Sequence, residues 1–363
     1  MKKTKVYIDV FYYIAALSGI KTYIEELVCG LKSHGHNDIE YVFSHDIEKL
    51  KNNQFYINSK YRFIRWIFQF RYLFWKEIIL PIKLFSNNAD FVICPDCVAP
   101  ILSPCKKIVV IHDNLIWKYP KNYPSLWRRY FIKLIKLGLK NNSQIVTTSK
   151  YSKNGLKEIF NNIKINYVYQ SSEALPFKNK SKKSDKYILH IGTFEKRKDL
   201  LTLIKGFKKL KEELKVNYKL VLAGSTYING DKSIRLKIEK YLNEHDLISS
   251  VLIPGYIDKT EASYFFSNAV MYVFPSIDEG FGIPLIEALK LKVPVVCSNI
   301  PIFKEIAEDS VLYFEKQNEI DLFEKMKELI LNKNLSNKLT LRGLEKVKKF
   351  NRFNFIKDFE KIF

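Results

Sequence analysis

The sequence predicts an α/β protein of two doubly wound parallel sheets, and three observations predict it. Five short apolar runs, many of their residues β-branched, recur through the second half: YILHIG, YKLVLAG, SVLIPG, MYVFPS and VPVVCS. They stand about 20 to 30 residues apart with helix-period stretches between them, the mark of strands alternating with helices in a parallel sheet. The first half repeats the alternation less cleanly, and a length of 363 residues suits about two domains.

In the first half the candidate strands are 5–10, 39–43, 90–93, 107–112, 144–148 and 166–169, and the candidate helices 20–33, 124–140 and 152–160. The lysine- and serine-rich stretch KNKSKKSDK (178–186) has the composition of a linker. It separates a domain over 1–175 from one over 183–349. Two such sheets joined by a linker are expected to face one another across a cleft. In the second half, helices are expected at 199–214 and 284–291. Three of the apolar runs end at Gly192, Gly224 and Gly255, and a fourth is followed by Gly280 and Gly282. Ligands of open parallel sheets bind at the carboxyl ends of the strands, where these glycines stand.

Composition narrows the function classes. Hydrophobic residues make up 47% of the chain and charged residues 27%, a globular balance. No uninterrupted apolar run reaches the roughly 18 residues of a spanning helix. The start, MKKTKVYIDVFYY, is basic but runs straight into a strand-like segment, so no signal peptide is expected. Five cysteines are too few, and odd in number, for a disulfide framework, which points to a reducing cytoplasm. The net charge of +22 is uneven: residues 1–180 hold 28 basic and 13 acidic side chains, the remainder 32 and 25. Nucleic acid, an anionic membrane or phosphorylated substrates would each suit such an amino-terminal half.

The chemistry is concentrated in FPSIDEGFGIPLIEALKLKVPVVCSNIPIFKEI (274–306). Pro284 suits the first turn of a helix, where its missing N–H costs nothing. The loop Gly280, Phe281, Gly282 and Ile283 before it places backbone N–H groups at the positive end of a helix dipole, a phosphate site. Glu279 is expected at the lip of this loop, and Glu287 about one turn into the helix. Two carboxylates beside a phosphate site suit hydroxyl groups, so a ligand with both phosphates and sugar hydroxyls fits. In IGTFEKRKDL, Arg197 and Lys198 follow Gly192 and would offset the charge of a diphosphate. No Asp-x-Asp metal clamp occurs, so no metal or other cofactor is expected.

These segments resemble retaining glycosyltransferases of family 4, which have the two-Rossmann-domain glycosyltransferase B fold. The two glutamates in EGFGIPLIE match that family's signature, and IGTFEKRKDL is similar to its phosphate motif. VVIHDNLIWKYP, SGIKTYIEEL and VTTSKYSKNGL resemble three segments of its amino-terminal domain. NFIKDFEKIF resembles its last helix, which in the family crosses back onto the first domain, so 350–363 is assigned there. RYLFWKEIILP (71–81) resembles a stretch of the mannosyltransferase-like branch that builds bacterial surface polysaccharides. One departure is Thr193, where many members carry Arg.

The resemblance implies a role for each matching position. Glu279 would hold hydroxyls of the donor sugar, with the N–H groups of Gly280 to Gly282 nearby, and Glu287 would bind the ribose. Arg197 and Lys198 would hold the diphosphate and stabilise it as a leaving group. Gly19 would lie in the loop before the first helix, near the diphosphate. His112 would sit near the sugar and the reacting oxygen, and Tyr256 would contact the base. The implied activity moves a hexose from a nucleotide diphosphate sugar to a glycan or lipid-linked oligosaccharide in the cytoplasm, with retention. GDP-mannose is the first donor, and a UDP-hexose or UDP-N-acetylhexosamine the alternative.

Rival readings remain open at this level. Cys94-x-x-Cys97, with Cys105 and His112, has the residue types of a zinc site or a redox pair. His34 and His36 read as part of a turn. A nucleic-acid-binding module is disfavoured because the acidic pair repels phosphate backbones. A sugar-nucleotide epimerase shares the fold without the EGFGIPLIE arrangement. Finally, 124–140 reads as a basic amphipathic helix. Arg129, Lys133, Lys136 and Lys140 share one face, with Trp127, Phe131, Leu134, Ile135 and Gly138 mostly on the other. It is expected to dock on an anionic membrane, with YRFIRWIFQFRYLFWK (61–76) as a second contact.

Overall fold

A computed structural model of the chain describes residues 3–16, 18–51, 62–173, 186–215, 217–225 and 233–363. The linker-like stretch 178–186 lies outside them apart from Lys186. The chain forms two units, residues 1–173 with 350–363, and residues 174–349.

The first unit carries a parallel sheet of β1 (Thr4–Ile8), β2 (Ile39–Phe43), β3 (Phe91–Cys94), β4 (Lys106–Val110), β5 (Ser143–Thr147) and β6 (Ile165–Tyr167), in the order β2-β1-β3-β4-β5-β6. Alternate strand residues point to opposite faces. Tyr7, Val92, Val109 and Ile145 meet the helical run 62–86 and the helix Ser125–Gly138 on one face. Val6, Ile8, Ile93 and Val110 meet the helices Ser18–His34 and Arg352–Glu360 on the other. The last helix is thus part of the first unit, through Phe355, Ile356 and Phe359. It approaches so closely that a Cβ on Gly30 would stand 2.7 Å from Ile356 Cγ1. Glu26 fixes its start, accepting from Arg352 Nη2 at 2.9 Å and Nε at 3.1 Å, and from the Ser171 hydroxyl at 2.7 Å. Arg352 also pairs with Glu173.

The second unit carries β7 (Tyr187–Ile191), β8 (Lys219–Ala223), β9 (Val251–Gly255), β10 (Met271–Phe274), β11 (Val295–Ser298) and β12 (Leu312–Phe314), all parallel, in the order β12-β11-β10-β7-β8-β9. Leu203, Phe207 and Leu210 of the helix Leu200–Leu214 and Met326 of the helix Glu319–Leu331 close one face over Ile188, Leu220 and Val273.

Three features differ from the sequence reading. β12 was not expected from the sequence. The run 62–86 is one continuous helical stretch: an α-helix Arg62–Phe74, a π turn Trp75–Ile79 and an α-helix Leu80–Ser86. Apolar residues stand on both of its sides, with Phe68, Tyr72 and Trp75 buried and Trp66, Phe70 and Phe74 exposed. Gly19 lies in the first turn of the helix Ser18–His34 and not in a loop before it.

Candidate functional site

The second sheet reverses its strand order between β7 and β10, the place where open α/β sheets leave a crevice for a ligand. The sequence sends its candidate charges there from both sides. Arg197 and Lys198 follow β7 in a short 3-10 turn, Lys196–Lys198, and Glu279 follows β10. The turn and the loop are tied together by Ile277 N–H donating to Arg197 O at 2.9 Å and Arg197 Nη1 donating to Asp278 O at 3.0 Å.

Glu279 does not stand at the lip of the loop. It is buried and turned onto the two cations, because burial of a carboxylate is tolerated only with charged partners. Its Oε2 pairs with Arg197 Nη1 at 2.6 Å, and its Oε1 accepts from Lys198 Nζ and from the Ser276 hydroxyl, each at 2.7 Å. Burial would raise the Glu279 pKa, but Arg197, Lys198 and the two hydrogen bonds outweigh it and hold the carboxyl at about 2. Lys198 is shifted down by burial and by Arg197, against the pull of Glu279. Arg197 also pairs with Glu195 at 3.2 Å, whose other oxygen accepts from the Thr193 hydroxyl at 2.8 Å. The two cations expected to receive a diphosphate therefore already face two carboxylates.

Sequence reasoning missed His190, on β7. It is fully buried, and its Nδ1 meets the carbonyl of Val273 at 2.9 Å, so Nδ1 carries the proton. Burial pushes its pKa down to about 4. That leaves Nε2 a lone pair with no partner among the described residues. The atom lies 2.8 Å from where a Cβ on Gly192 would stand, and Lys198 Cε is 3.5 Å from the same point. A histidine in an apolar strand gives no sequence signal of this kind.

Gly282 precedes the helix Ile283–Lys290 with φ +97°, a conformation L side chains rarely adopt. Phe281 is buried, and Glu287 is half-buried in the second turn of that helix, close enough to Tyr272 to raise its phenol pKa along with burial and Glu279. Tyr256 stands apart, 75% exposed beyond the edge strand β9.

In the first unit His112 is neutral. Burial takes its pKa to about 4, and its Nε2 donates to Pro95 O at 2.8 Å, so Nδ1 offers only a lone pair. The zinc or redox reading loses its ligands here. Burial pushes the Cys97 thiol up to about 12 and the Cys94 thiol higher, the reverse of a reactive thiolate. Among the described residues no three His, Cys, Asp or Glu side chains are grouped to hold a metal ion.

The first sheet reverses between β1 and β3, and there too charges meet. Lys76, from the π turn, pairs with Asp9 at 2.7 Å and Asp96 at 2.9 Å, all three side chains fully enclosed. Trp75 Nε1 donates to Asp9 Oδ1 at 2.9 Å and the Tyr72 hydroxyl to Asp96 Oδ2 at 2.7 Å. Tyr72, Trp75 and Lys76 all belong to the stretch RYLFWKEIILP.

Residues 171–346 match the family described as Glycosyl transferases group 1. The chain is similar to O-antigen chain mannosyltransferase B of Escherichia coli, 28% identical over 258 residues, 68% of this chain and 66% of that protein. It is similar to O-antigen chain mannosyltransferase RfbU of Salmonella typhimurium, 27% identical over 263 residues, 72% and 70% of the two chains. The first match thus spans just under two thirds of its relative's length. Among solved structures, Anabaena HepE in complex with UDP and glucose has the same fold, with TM-score 0.73, 11% identity and 99% of both chains covered.

Proposed function

We propose that the chain, which has the two-sheet glycosyltransferase B fold, is a group 1 glycosyl transferase that moves mannose from GDP-mannose to a glycan or lipid-linked acceptor with retention of configuration. The observation that carries this reading is the meeting of Arg197, Lys198 and Glu279 at the reversal point of the second sheet. Two O-antigen mannosyltransferase relatives favour mannose among hexoses and a surface polysaccharide among products.

On this reading the donor's diphosphate takes Glu279's place on Arg197 and Lys198, beside the positive end of the helix Ile283–Lys290. The freed carboxylate accepts hydrogen bonds from sugar hydroxyls. As the glycosidic bond breaks, charge grows on the diphosphate oxygen, and the two cations stabilise it without a metal ion. Glu287 accepts from ribose hydroxyls, and His112 of the first unit, with a bare Nδ1, keeps an acceptor for a hydroxyl group. No residue here is assigned as a covalent nucleophile, and attack on the same face is the proposed route to retention.

Thermal-shift measurements against GDP, UDP, dTDP and ADP test the donor. A base that binds at 100 times its dissociation constant adds about 2.7 kcal/mol of stability. GDP is expected to give the largest shift, and a larger shift with UDP would replace GDP-mannose by a UDP-hexose.

A further inference from the structure

We infer that the outer side of the helical run 62–86 is a docking surface for an anionic lipid bilayer. Phe68, Tyr72, Trp75, Leu80 and Leu84 of this run are buried against the first sheet. The opposite side carries Trp66, Phe70, Phe74, Ile78, Ile82 and Phe85, each between 45% and 75% exposed. A helix apolar all round is ordinarily covered all round, and a contiguous exposed apolar stripe marks an interaction site. Successive steps of four residues drift around an α-helix, since each overshoots a turn of about 3.6. The wider π turn Trp75–Ile79 takes up part of that drift and keeps the stripe in line over about 30 Å.

Charge decides the occupant. Glu77, the run's one acidic residue, is turned inward, where its carboxylate accepts from Ile101 N–H at 3.1 Å, while Arg71 and Lys83 are exposed. Beside the run, on the same face of the sheet, the helix Ser125–Gly138 buries Ile135 and packs Phe131 and Leu134 into the core. The second half of its apolar side thus packs on the core, while Leu126 and Trp127 near its start stay exposed. On this proposal its exposed Arg129, Lys133 and Lys136, with Lys140 just beyond, serve as the basic rim of the surface. Residues 101–170 hold 13 basic and 2 acidic side chains. A second copy of the chain would set this positive surface against itself. An anionic bilayer offers hydrocarbon to the stripe and phosphate to the rim. One side of the run is packed in the protein, so it lies in the interface and does not span.

The test mixes the full chain with vesicles of phosphatidylcholine alone, or of phosphatidylcholine with phosphatidylglycerol, and sediments them. Wild type is expected to bind the mixed vesicles. Replacing Trp66, Phe70 and Ile82 together by serine is expected to cut binding by at least about tenfold at low and high salt, with an unchanged melting temperature. Lys133→Glu with Lys136→Glu is expected to cut it at low salt only. Should the triple variant melt lower, quenching of Trp66 by acyl-chain bromine in a Trp127→Phe chain reads the same contact. Wild type that stays in the supernatant, a triple variant that binds equally, or a lipid-free dimer that the triple variant abolishes would each overturn the proposal.

Discussion

Each sheet reverses its strand order once, and ionised side chains meet at both reversals, yet the two clusters are built for opposite ends. In the first unit a single ammonium, Lys76, stands between Asp9 and Asp96, and Val98 O takes a further Nζ hydrogen bond at 2.7 Å. Burial would lower the Lys76 pKa, but the two aspartates hold it well above its ordinary value. Nothing in that cluster is exposed. In the second unit Arg197 and Glu279 keep 13% and 9% side-chain exposure, and the counter-ion comes from a loop. A lysine delivered by a packed helix locks a crevice shut, whereas a loop carboxylate, on the proposed function, is exchangeable for a phosphate. Position in the fold is the same at both reversals, and the side chains make the difference between them.

The largest test of that contrast is Lys76→Met, which strands two buried carboxylates. It is expected to cost about 3–5 kcal/mol in urea unfolding. A loss below about 1 kcal/mol would mean the first cluster is as accessible as the second. Next comes Glu279→Gln. Transfer is expected to fall by about a hundredfold or more, while bare nucleoside diphosphate binds about tenfold tighter in calorimetry because the competing charge is gone. Equal affinity in the variant would refute the exchange of carboxylate for phosphate.

His190, beneath the second cluster alone, sets a smaller and pH-dependent effect. Its folded pKa of about 4 lies below the ordinary 6.5, so the unfolded chain binds a proton first as pH falls. Stability is then expected to drop by about 1.4 kcal/mol per pH unit between pH 6.5 and 4 from this residue, and to level off below. His190→Gln should flatten that window, and an unchanged slope would assign the loss to other groups. The smallest expected effect is that of EDTA. With Arg197 and Lys198 carrying the leaving group, turnover should be unchanged, and loss restored by magnesium or manganese would move the second cluster into metal chemistry.

Much of this was legible in the sequence, for identifiable reasons. Three strands of the second half end at glycines, and all alternate with regular helices, so period and turn chemistry agree. Glu279, Arg197 and Lys198 stand out through the glycines and proline around them. Their mutual pairing does not, since it joins positions 81 and 82 residues apart. The closed cluster is hidden for the same reason: Lys76 and Asp96 come together only once Trp75 and Tyr72 are packed. The sequence marks 61–76 as an interfacial contact, but it does not tell which side of the run is buried, and only folding separates its buried side from its bare one. Conversely, the clear amphipathic pattern of 124–140 could not say whether core or membrane takes the apolar side, and the core takes its second half.

The clamp on Glu26 dictates how pieces of this chain are exchanged. The chain leaves the first unit after residue 173 and returns at 350, and Arg352 grips Glu26 and Glu173 just at these two crossings. A truncation at 349 would spare the second unit and injure the first, baring the groove at Gly30 that Ile356 fills. A chimera that borrows a relative's second unit therefore needs two junctions, and its final 14 residues must come from the same parent as its first 173.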